Sequence, residues 1–262
     1  MMMRRVYSRL ILPYSTIFSD FVSRLVMRAI CFLSSVQNPE EPLRCEQGML
    51  AEYAETAIHN DFDLIAVEKA VQLKENGMID EVVLFSMAPE SSILQRALAI
   101  GADRAVYAAA RNCDLTPEIV VDTALASIEA DDETIWITGK LGVNFESHRT
   151  AQILAMRLGV PCLCSAFNIE RSGDEWEVAC EHDFGTPVYR VRAPFVVTAD
   201  LRLADPRYPG LPSLLKAKRK PVVQADAVSG YSGEHGCVEA VQEKRRQCEF
   251  IEPSAVIEML RG

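Results

Sequence analysis

The sequence predicts an α/β protein with an open, mostly parallel, twisted sheet, helices on both faces, added antiparallel strands and a C-terminal arm. From Met27 onward, continuous apolar runs alternate with segments whose apolar residues recur every 3.6 residues. This pattern is typical of strands buried on both sides by crossover helices. Between Cys162 and Arg192, shorter alternating runs are separated by turn sequences, as in antiparallel strands. The chain has 262 residues, 49% of them hydrophobic, which is enough for a substantial core.

Each element of the parallel part follows from a local signal. The strands are predicted at residues 28–33, 81–85, 104–107, 134–138 and 195–198. The helices are predicted at residues 62–76, 91–100, 117–130 and 146–158. Asn76-Gly77 supplies a C-terminal stop for the first helix. Thr116 is placed to cap the third helix, with Pro117 in its first turn.

The chain is predicted to have three parts. Residues 27–221 form the α/β domain, and residues 222–262 form a C-terminal arm that ends in a helix near 253–260. Residues 1–26 form an extension with a net charge of +3. This extension resembles a mitochondrial transit peptide. The alternative is that translation starts at Met27 and that the start upstream of it is mis-assigned.

Charge and composition exclude several classes of protein. The net charge of −10 disfavours binding to nucleic acid. The chain has neither a secretory signal pattern nor a run of about 18 apolar residues. We therefore expect a reduced interior compartment: the bacterial cytoplasm, or the mitochondrial matrix if residues 1–26 are a transit peptide.

The sequence offers no catalytic motif. The eight cysteines contain no CxxC pair, and their only tight spacing is Cys162-Leu163-Cys164, which would put both sulfurs on one face of a strand. This spacing favours no metal site. A GxSxG elbow is absent, and the four histidines lie in unrelated contexts. We expect no catalytic residue and no metal.

The loop at residues 138–150 is the best candidate for a ligand site. It runs from a buried strand into a helix and contains Gly139 and Gly142, which let the backbone approach a ligand closely. A helix N-terminus there would offer unpaired N–H groups, and Ser147, Arg149 and Thr150 would add further donors. The loop fits neither a Walker A motif nor a GxGxxG fingerprint. A phosphate site and a purely structural turn both remain open.

A second candidate is the basic segment at residues 202–220, which carries a net charge of +5 in an acidic protein. Leu211, Leu214 and Leu215 interleave with its charges, and prolines stiffen the approach. An apolar anchor beside a basic cluster is typical of a protein-recognition surface. A solvated helix end with its leucines turned inward explains the pattern equally well.

Several motifs resemble the beta subunit of electron transfer flavoproteins. They are VTADLRL at 197–203, DPRY at 205–208, LP at 211–212 and KAKRK at 216–220, supported by RALAIGADR at 96–104 and GK at 139–140. The resemblance covers about residues 27–262 and implies a Rossmann-like domain of the adenine-nucleotide-binding type. It implies a non-catalytic electron carrier in fatty acid β-oxidation or a related route. Its partner is an alpha subunit that holds most of one FAD, and the C-terminal helix packs on that subunit.

The resemblance also implies which residues bind ligands and partners. AMP contacts would fall on Phe32, Asn60, Asp61, Phe62, Asp63, Met87, Gly139, Lys140, Leu141, Gly142, Val143, Asn144, Phe145, Glu146, Ser147, His148, Arg149 and Thr150. Acyl-CoA dehydrogenases or similar flavoenzymes would dock on residues 199–221, and electrons would leave to a membrane ubiquinone oxidoreductase. The recognition residues would be Ala199, Arg202, Arg207, Tyr208, Leu211, Pro212, Lys216, Lys218, Arg219 and Lys220.

The AMP loop departs from the family's usual pattern. Gly139, Lys140, Thr150 and Gln152 match it, whereas the acidic residues between them are largely replaced. Phe32 stands where a small residue is usual and would crowd an adenine. These departures leave open whether AMP, another nucleotide or nothing occupies the site. The alternative function is a stand-alone adenine-nucleotide-binding regulatory domain of similar fold.

Overall fold

The computed structural model describes residues 26–36, 38, 40, 45–46, 49–50, 57–110, 115–142 and 147–228. The strands are β1 (Arg28–Phe32), β2 (Ser35–Val36), β3 (Cys45–Glu46), β4 (Met49–Leu50), β5 (Ile58–His59), β6 (Glu81–Ala88), β7 (Arg104–Ala109), β8 (Thr134–Gly139), β9 (Cys162–Ser172), β10 (Glu175–Cys180), β11 (Val188–Val191), β12 (Phe195–Ala199) and β13 (Val222–Gln224). The helices are α1 (Asp61–Glu75), α2 (Leu94–Ile100), α3 (Pro117–Ser127), α4 (Arg149–Leu158) and α5 (Leu211–Ala217).

Nine strands form the main sheet, in the order β11-β10-β9-β12-β8-β1-β6-β7-β13. Seven strands that neighbour one another in this order run parallel: β9, β12, β8, β1, β6, β7 and β13. At the β9 edge, β10 and β11 extend the sheet with antiparallel pairing. The chain moves outward from β1 to β6 and β7 and then crosses to β8 on the other side of β1. In open α/β sheets, ligands bind beyond the carboxyl ends of the strands at such a change of direction.

Each face of the sheet has its own core. Cys31, Ile135 and Ile137 face a cluster that contains residues of α1, α2 and α5. Ile30 and Trp136 face a second cluster that contains residues of α3 and α4. Successive strand residues therefore bury opposite sides, which explains why these strands read as continuous apolar runs.

The α/β prediction is confirmed, and so are the five parallel strands and the antiparallel meander. The predicted helix at 91–100 begins instead as a 3-10 turn, Ser91–Ile93, and α3 ends at Ser127 rather than 130. Thr116 caps α3 as predicted, since its hydroxyl oxygen accepts a hydrogen bond from Ile119 N at 3.3 Å.

The sequence analysis did not predict the short strands β2 to β5, and two further elements lie in segments that it did not assign to a helix or strand. The helix α5 lies in the basic segment, and β13 pairs with β7, so Val222–Gln224 of the predicted arm belongs to the sheet. Residues 1–25 of the predicted extension (1–26) and the predicted helix at 253–260 lie outside the described residues, so the three-part division stays a prediction. Among the residues described, no helix is long and apolar enough to cross a membrane.

Candidate functional site

A cavity of about 750 Å³ opens beyond the carboxyl ends of β1, β6 and β8, and the first turns of α3 and α4 form its walls. Its volume lies within the range of small-molecule sites. Twelve residues predicted from the resemblance line it: Phe32, Asn60, Asp63, Met87, Gly139, Lys140, Leu141, Gly142, Ser147, His148, Arg149 and Thr150. Asp61 and Phe62 are not among the lining residues, and Val143, Asn144, Phe145 and Glu146 lie outside the described residues.

The sequence analysis missed one wall of the cavity. Leu115, Thr116, Pro117 and Glu118 line it from the start of α3. The signal was present, because the Thr116-Pro117 cap follows a strand that ends at the same edge of the sheet. The Thr116-Pro117 cap predicted the start of a helix. It did not show that this helix starts beside the glycine loop, because the two segments lie more than twenty residues apart in the sequence.

The buried carboxylate of Asp63 ties three segments of the cavity together. Asp63 Oδ2 accepts hydrogen bonds from Ser34 N at 2.8 Å and Ser34 Oγ at 2.5 Å. Its Oδ1 accepts a third from Gly139 N at 3.0 Å. The start of α1 is therefore fastened to the ends of β1 and β8. Burial raises the pKa of the Asp63 carboxyl to about 6, while the bonds from Ser34 and Gly139 oppose that rise.

Gly139 is required by close packing against α1. A Cβ at this position would lie 2.8 Å from Phe62 Cβ and 3.1 Å from Asp63 N, and closer still to Asp63 Oδ1. No side chain fits there without movement of the helix start. The sequence analysis assigned this glycine to ligand approach, and the structure gives it an internal role as well.

Asn60 joins the start of α1 to the loop after β8. It occupies the N-cap position of α1, but its side chain makes no capping hydrogen bond. Its Nδ2 donates instead to the Leu141 carbonyl at 2.8 Å. Its Oδ1 is buried and has no hydrogen-bond partner among the described residues. This oxygen is available to accept a hydrogen bond from a bound molecule.

The floor of the cavity is aromatic. Phe32 contacts Phe85 at a ring-centroid distance of 5.1 Å and Trp136 at 6.0 Å. Its side chain is buried in the cluster under α3 and α4, with 6% exposed. The cavity stays open above Phe32. The expectation that Phe32 crowds an adenine stays a prediction.

The basic side chains at the cavity rim are already paired. Lys140 Nζ lies 2.7 Å from Asp200 Oδ2, and Arg149 Nη2 lies 2.5 Å from Glu118 Oε1. Neither side chain brings uncompensated charge to the cavity. Apart from the buried Asp63 carboxyl, the electrostatics of the site therefore depend on the two helix starts.

The two helix starts differ in their capacity for an anion. At α3 the Thr116 cap, Pro117 without an N–H and the acidic Glu118 leave little for a ligand. At α4 the N-cap residue His148 makes no side-chain cap bond, and the first turn contains no acidic residue. An anion in the cavity is therefore best placed at the first turn of α4.

Comparisons with known proteins identify the family. Residues 47–229 match the model of the electron transfer flavoprotein domain. The chain belongs to the electron transfer flavoprotein family. It is 37% identical over 167 residues to electron transfer flavoprotein subunit beta of Bradyrhizobium diazoefficiens, an alignment of 63% of this chain and 67% of the relative. It is 36% identical over 168 residues to the same subunit of Bos taurus, covering 62% of this chain and 66% of the relative.

A more distant relative aligns over a longer stretch. The beta subunit of Syntrophomonas wolfei is 28% identical over 209 residues, 79% of this chain and 82% of the relative. The alignments with the first two relatives span about two thirds of their length. The resemblance drawn from the motifs is confirmed, and the chain groups with the beta subunits of the family. A stand-alone regulatory domain is not favoured.

The basic segment of this electron transfer flavoprotein chain presents an exposed apolar strip. Tyr208 is 88% exposed and Leu211 is 69% exposed. Leu215, one helical turn beyond Leu211 on α5, is exposed too, whereas Ala217 packs on the core. Pro212, Lys216, Lys218 and Arg219 are also exposed around the strip. Of the three leucines, Leu214 packs against the core, so the inward-facing alternative holds for Leu214 and not for Leu211 or Leu215.

Four of the predicted recognition residues have internal roles in this electron transfer flavoprotein chain. Arg207 makes bidentate bonds to Glu68 and Glu75 of α1. Lys220 Nζ donates to the carbonyls of Leu98 at 2.9 Å and Ala102 at 2.5 Å, which closes the end of α2.

The other two lie near the end of β12. Ala199 is buried, and Arg202 pairs with Asp200 and with Glu181. Together with Arg207 and Lys220, Arg202 fixes the segment, while the strip around Leu211 stays open.

Proposed function

We propose that this chain is the beta subunit of a heterodimeric electron carrier. With an alpha subunit that holds most of one FAD, it would receive electrons from acyl-CoA dehydrogenases or related flavoenzymes. It would pass them to a ubiquinone oxidoreductase or a similar acceptor. The flavin supplies the redox chemistry, and this chain contributes binding surfaces rather than a catalytic residue. We further propose the cytoplasm as its location, or the mitochondrial matrix if residues 1–26 are a transit peptide.

The observation that carries the proposal is that a chain of this family has both a cavity beyond the carboxyl ends of β1, β6 and β8 and an exposed apolar strip around Leu211. A regulatory nucleotide domain needs the cavity but has no use for Tyr208 and Leu211 at the surface. Aromatic and aliphatic anchors within a charged rim are typical of surfaces that bind a protein partner. The strip is our candidate docking site for the donor flavoenzyme.

The cavity is proposed to hold AMP. Its aromatic floor gives an apolar surface for a base, and Asn60 Oδ1 supplies an unused acceptor for an exocyclic amine. The phosphate would lie at the first turn of α4, where Ser147 and Thr150 supply hydroxyl groups. Lys140 would act indirectly, since its ammonium is held by Asp200.

Co-expression with the alpha subunit tests the carrier function. The expected product is a yellow 1:1 complex that releases one FAD and one AMP on denaturation, measured by chromatography and mass spectrometry. A colourless chain that does not bind the alpha subunit would contradict the carrier function. A yellow complex without AMP would contradict only the assignment of the cavity.

A charge variant tests where the phosphate lies. Thr150→Glu places a carboxylate at the first turn of α4, where it stabilises the helix by about 0.3–1 kcal/mol but repels a phosphate. We expect the complex to form and to lose AMP. The matched control is Met156→Glu, an equal change of charge at an exposed position of the same helix that does not line the cavity. Equal AMP content in the two variants would place the phosphate elsewhere.

A further inference from the structure

The structure brings two thiols together on β9, outside the cavity. Cys162 and Cys164 face the same side of the strand, and their Sγ atoms lie 3.8 Å apart. Both side chains are half-buried, so a small reagent can reach them. The sequence analysis noted this spacing and found no use for it, and the proposed carrier function does not use it either.

A neighbouring side chain distinguishes the two sulfurs. Gln152 Nε2 of α4 lies 3.5 Å from Cys164 Sγ and donates a hydrogen bond to it. A thiolate at Cys164 therefore has two donors, the amide of Gln152 and the S–H group of Cys162. These bonds lower the pKa of Cys164, and the same pairing and burial raise the pKa of Cys162. A thiolate therefore forms more readily at Cys164 than at Cys162.

The backbone next to Cys164 leaves the regular ladder. Cys162 and Leu163 pair with Val196 and Val197 of β12, and the register then shifts before Ala166. Ser165 has a φ of 55°, in the left-handed region. Its N–H donates to the Thr198 side chain at 2.7 Å rather than to a ladder carbonyl. A bulge of this kind lets the segment adjust without breaking the pairing of its neighbours.

A third cysteine, Cys180, lies close enough that burial and the charge of Cys164 both raise the pKa of its thiol. Cys180 on β10 is fully buried in the cluster under α1, whereas Cys162 packs against the cluster under α3 and α4. Among the described residues, no group of three or more His, Cys, Asp or Glu side chains forms a metal site. The local chemistry is that of a dithiol.

We propose that Cys162 and Cys164 form a peroxide-reactive dithiol that closes reversibly to a disulfide. The Cys164 thiolate attacks one oxygen of a hydroperoxide; an S–O bond forms, the O–O bond breaks, and the leaving oxygen takes a proton as water or alcohol. The Cys162 sulfur then attacks Cys164, the S–O bond breaks, and the departing hydroxide takes the Cys162 proton as water. The two thiols lose two electrons and the peroxide gains them. The Gln152 bond to the thiolate is lost in the process, so the change reaches α4.

One tryptic peptide reports the reaction. Cleavage after Arg157 and Arg171 releases residues 158–171, which contain both thiols and no other cysteine or methionine. The purified full chain is treated with stoichiometric hydrogen peroxide, blocked with N-ethylmaleimide and digested. We expect this peptide to escape alkylation and to lose two hydrogens, and dithiothreitol to restore both thiols.

Variants separate the two sulfurs. In Cys162→Ser, Cys164 should accumulate as a sulfenic acid that a 1,3-dione reagent traps. In Cys164→Ser, the peptide should resist peroxide. Gln152→Leu should slow oxidation about threefold, because a smaller thiolate population is partly offset by higher nucleophilicity. Met156→Leu, on the same helix, should not change the rate.

The results that would overturn the proposal are distinct from these. They are an unchanged peptide at peroxide levels that oxidise other thiols, a sulfenic acid that persists on wild-type Cys164, or a disulfide from either residue to another cysteine. None depends on the presence of flavin, AMP or an alpha subunit.

Discussion

Gly139→Ala tests whether the close approach of β8 to α1 fixes the edge of the cavity. The added Cβ would lie 2.8 Å from Phe62 Cβ, an atom that cannot move without the helix backbone. It would also displace the Asp63 carboxylate, which accepts the Gly139 N–H bond at 3.0 Å. The side chain cannot rotate away without giving up the two bonds from Ser34 as well.

The expected loss of stability follows from these contacts. Overpacking of a rigid site costs about 1–3 kcal/mol. Loss of one hydrogen bond to a charged acceptor adds about 1.5–3 kcal/mol. We expect the free energy of unfolding to fall by about 4 kcal/mol, which corresponds to a decrease in Tm of about 10 °C for a chain of this size.

Urea unfolding of the purified chain measures this change, with the buried residues Trp136 and Trp176 as fluorescent reporters. The matched control is Gly142→Ala, where the nearest atom to the added Cβ is the Ser147 carbonyl oxygen at an ordinary 3.6 Å. We expect this control to stay within about 0.5 kcal/mol of the wild type. If Gly139→Ala matches the control, the reasoning about this contact is refuted.

Three further predictions concern other parts of the molecule. Arg207→Met leaves Glu68, with 2% of its side chain exposed, without its cation; we expect a loss of about 2–3 kcal/mol in urea unfolding, and no loss would contradict an anchoring role. Asp63→Asn removes a carboxyl whose pKa is raised, so wild-type stability relative to the variant should fall by about 3 kcal/mol as pH rises from about 4 to 6. A pH-independent difference in urea titrations would contradict this. Leu211→Ala should slow flavin reduction by the donor dehydrogenase about tenfold in stopped-flow kinetics with flavin content unchanged. Val188→Ala, exposed at the far edge of the sheet, is its control, and equal rates would move the docking site elsewhere.

The sequence predicted the parallel strands well because their burial on both faces leaves a continuous apolar signal. It offered a helix in the basic segment only as an alternative, because in the seven residues of α5 only Leu214 and Ala217 pack on the core and two leucines are exposed. It missed β13 because all three of its residues are exposed at a sheet edge, where an apolar pattern has no core to report.

The candidate site was predictable only through residue types. Gly139 and Gly142 marked the loop, but nothing local showed that Gly139 faces Asp63, since the two are joined only by the fold. The same holds for the pairing of Lys140 with Asp200, which are sixty residues apart. Partners that are distant in the sequence decide whether a basic side chain can bind a ligand or is held within the fold. The spacing of residues along the chain does not reveal these partners.

The internal pairing of half the basic side chains in the segment at 202–220 has a kinetic consequence. Arg202 and Arg207 are neutralised by carboxylates within the fold. Lys220 keeps its charge but is held in place by two backbone carbonyls. Only Lys216 and its neighbours on α5 and the following turn extend free charge into solvent, within the part of the chain that the structure describes. Attraction between exposed charges fades beyond about 8 Å at physiological ionic strength. The encounter rate with an acidic partner should therefore fall with added salt as expected for about four charges rather than six.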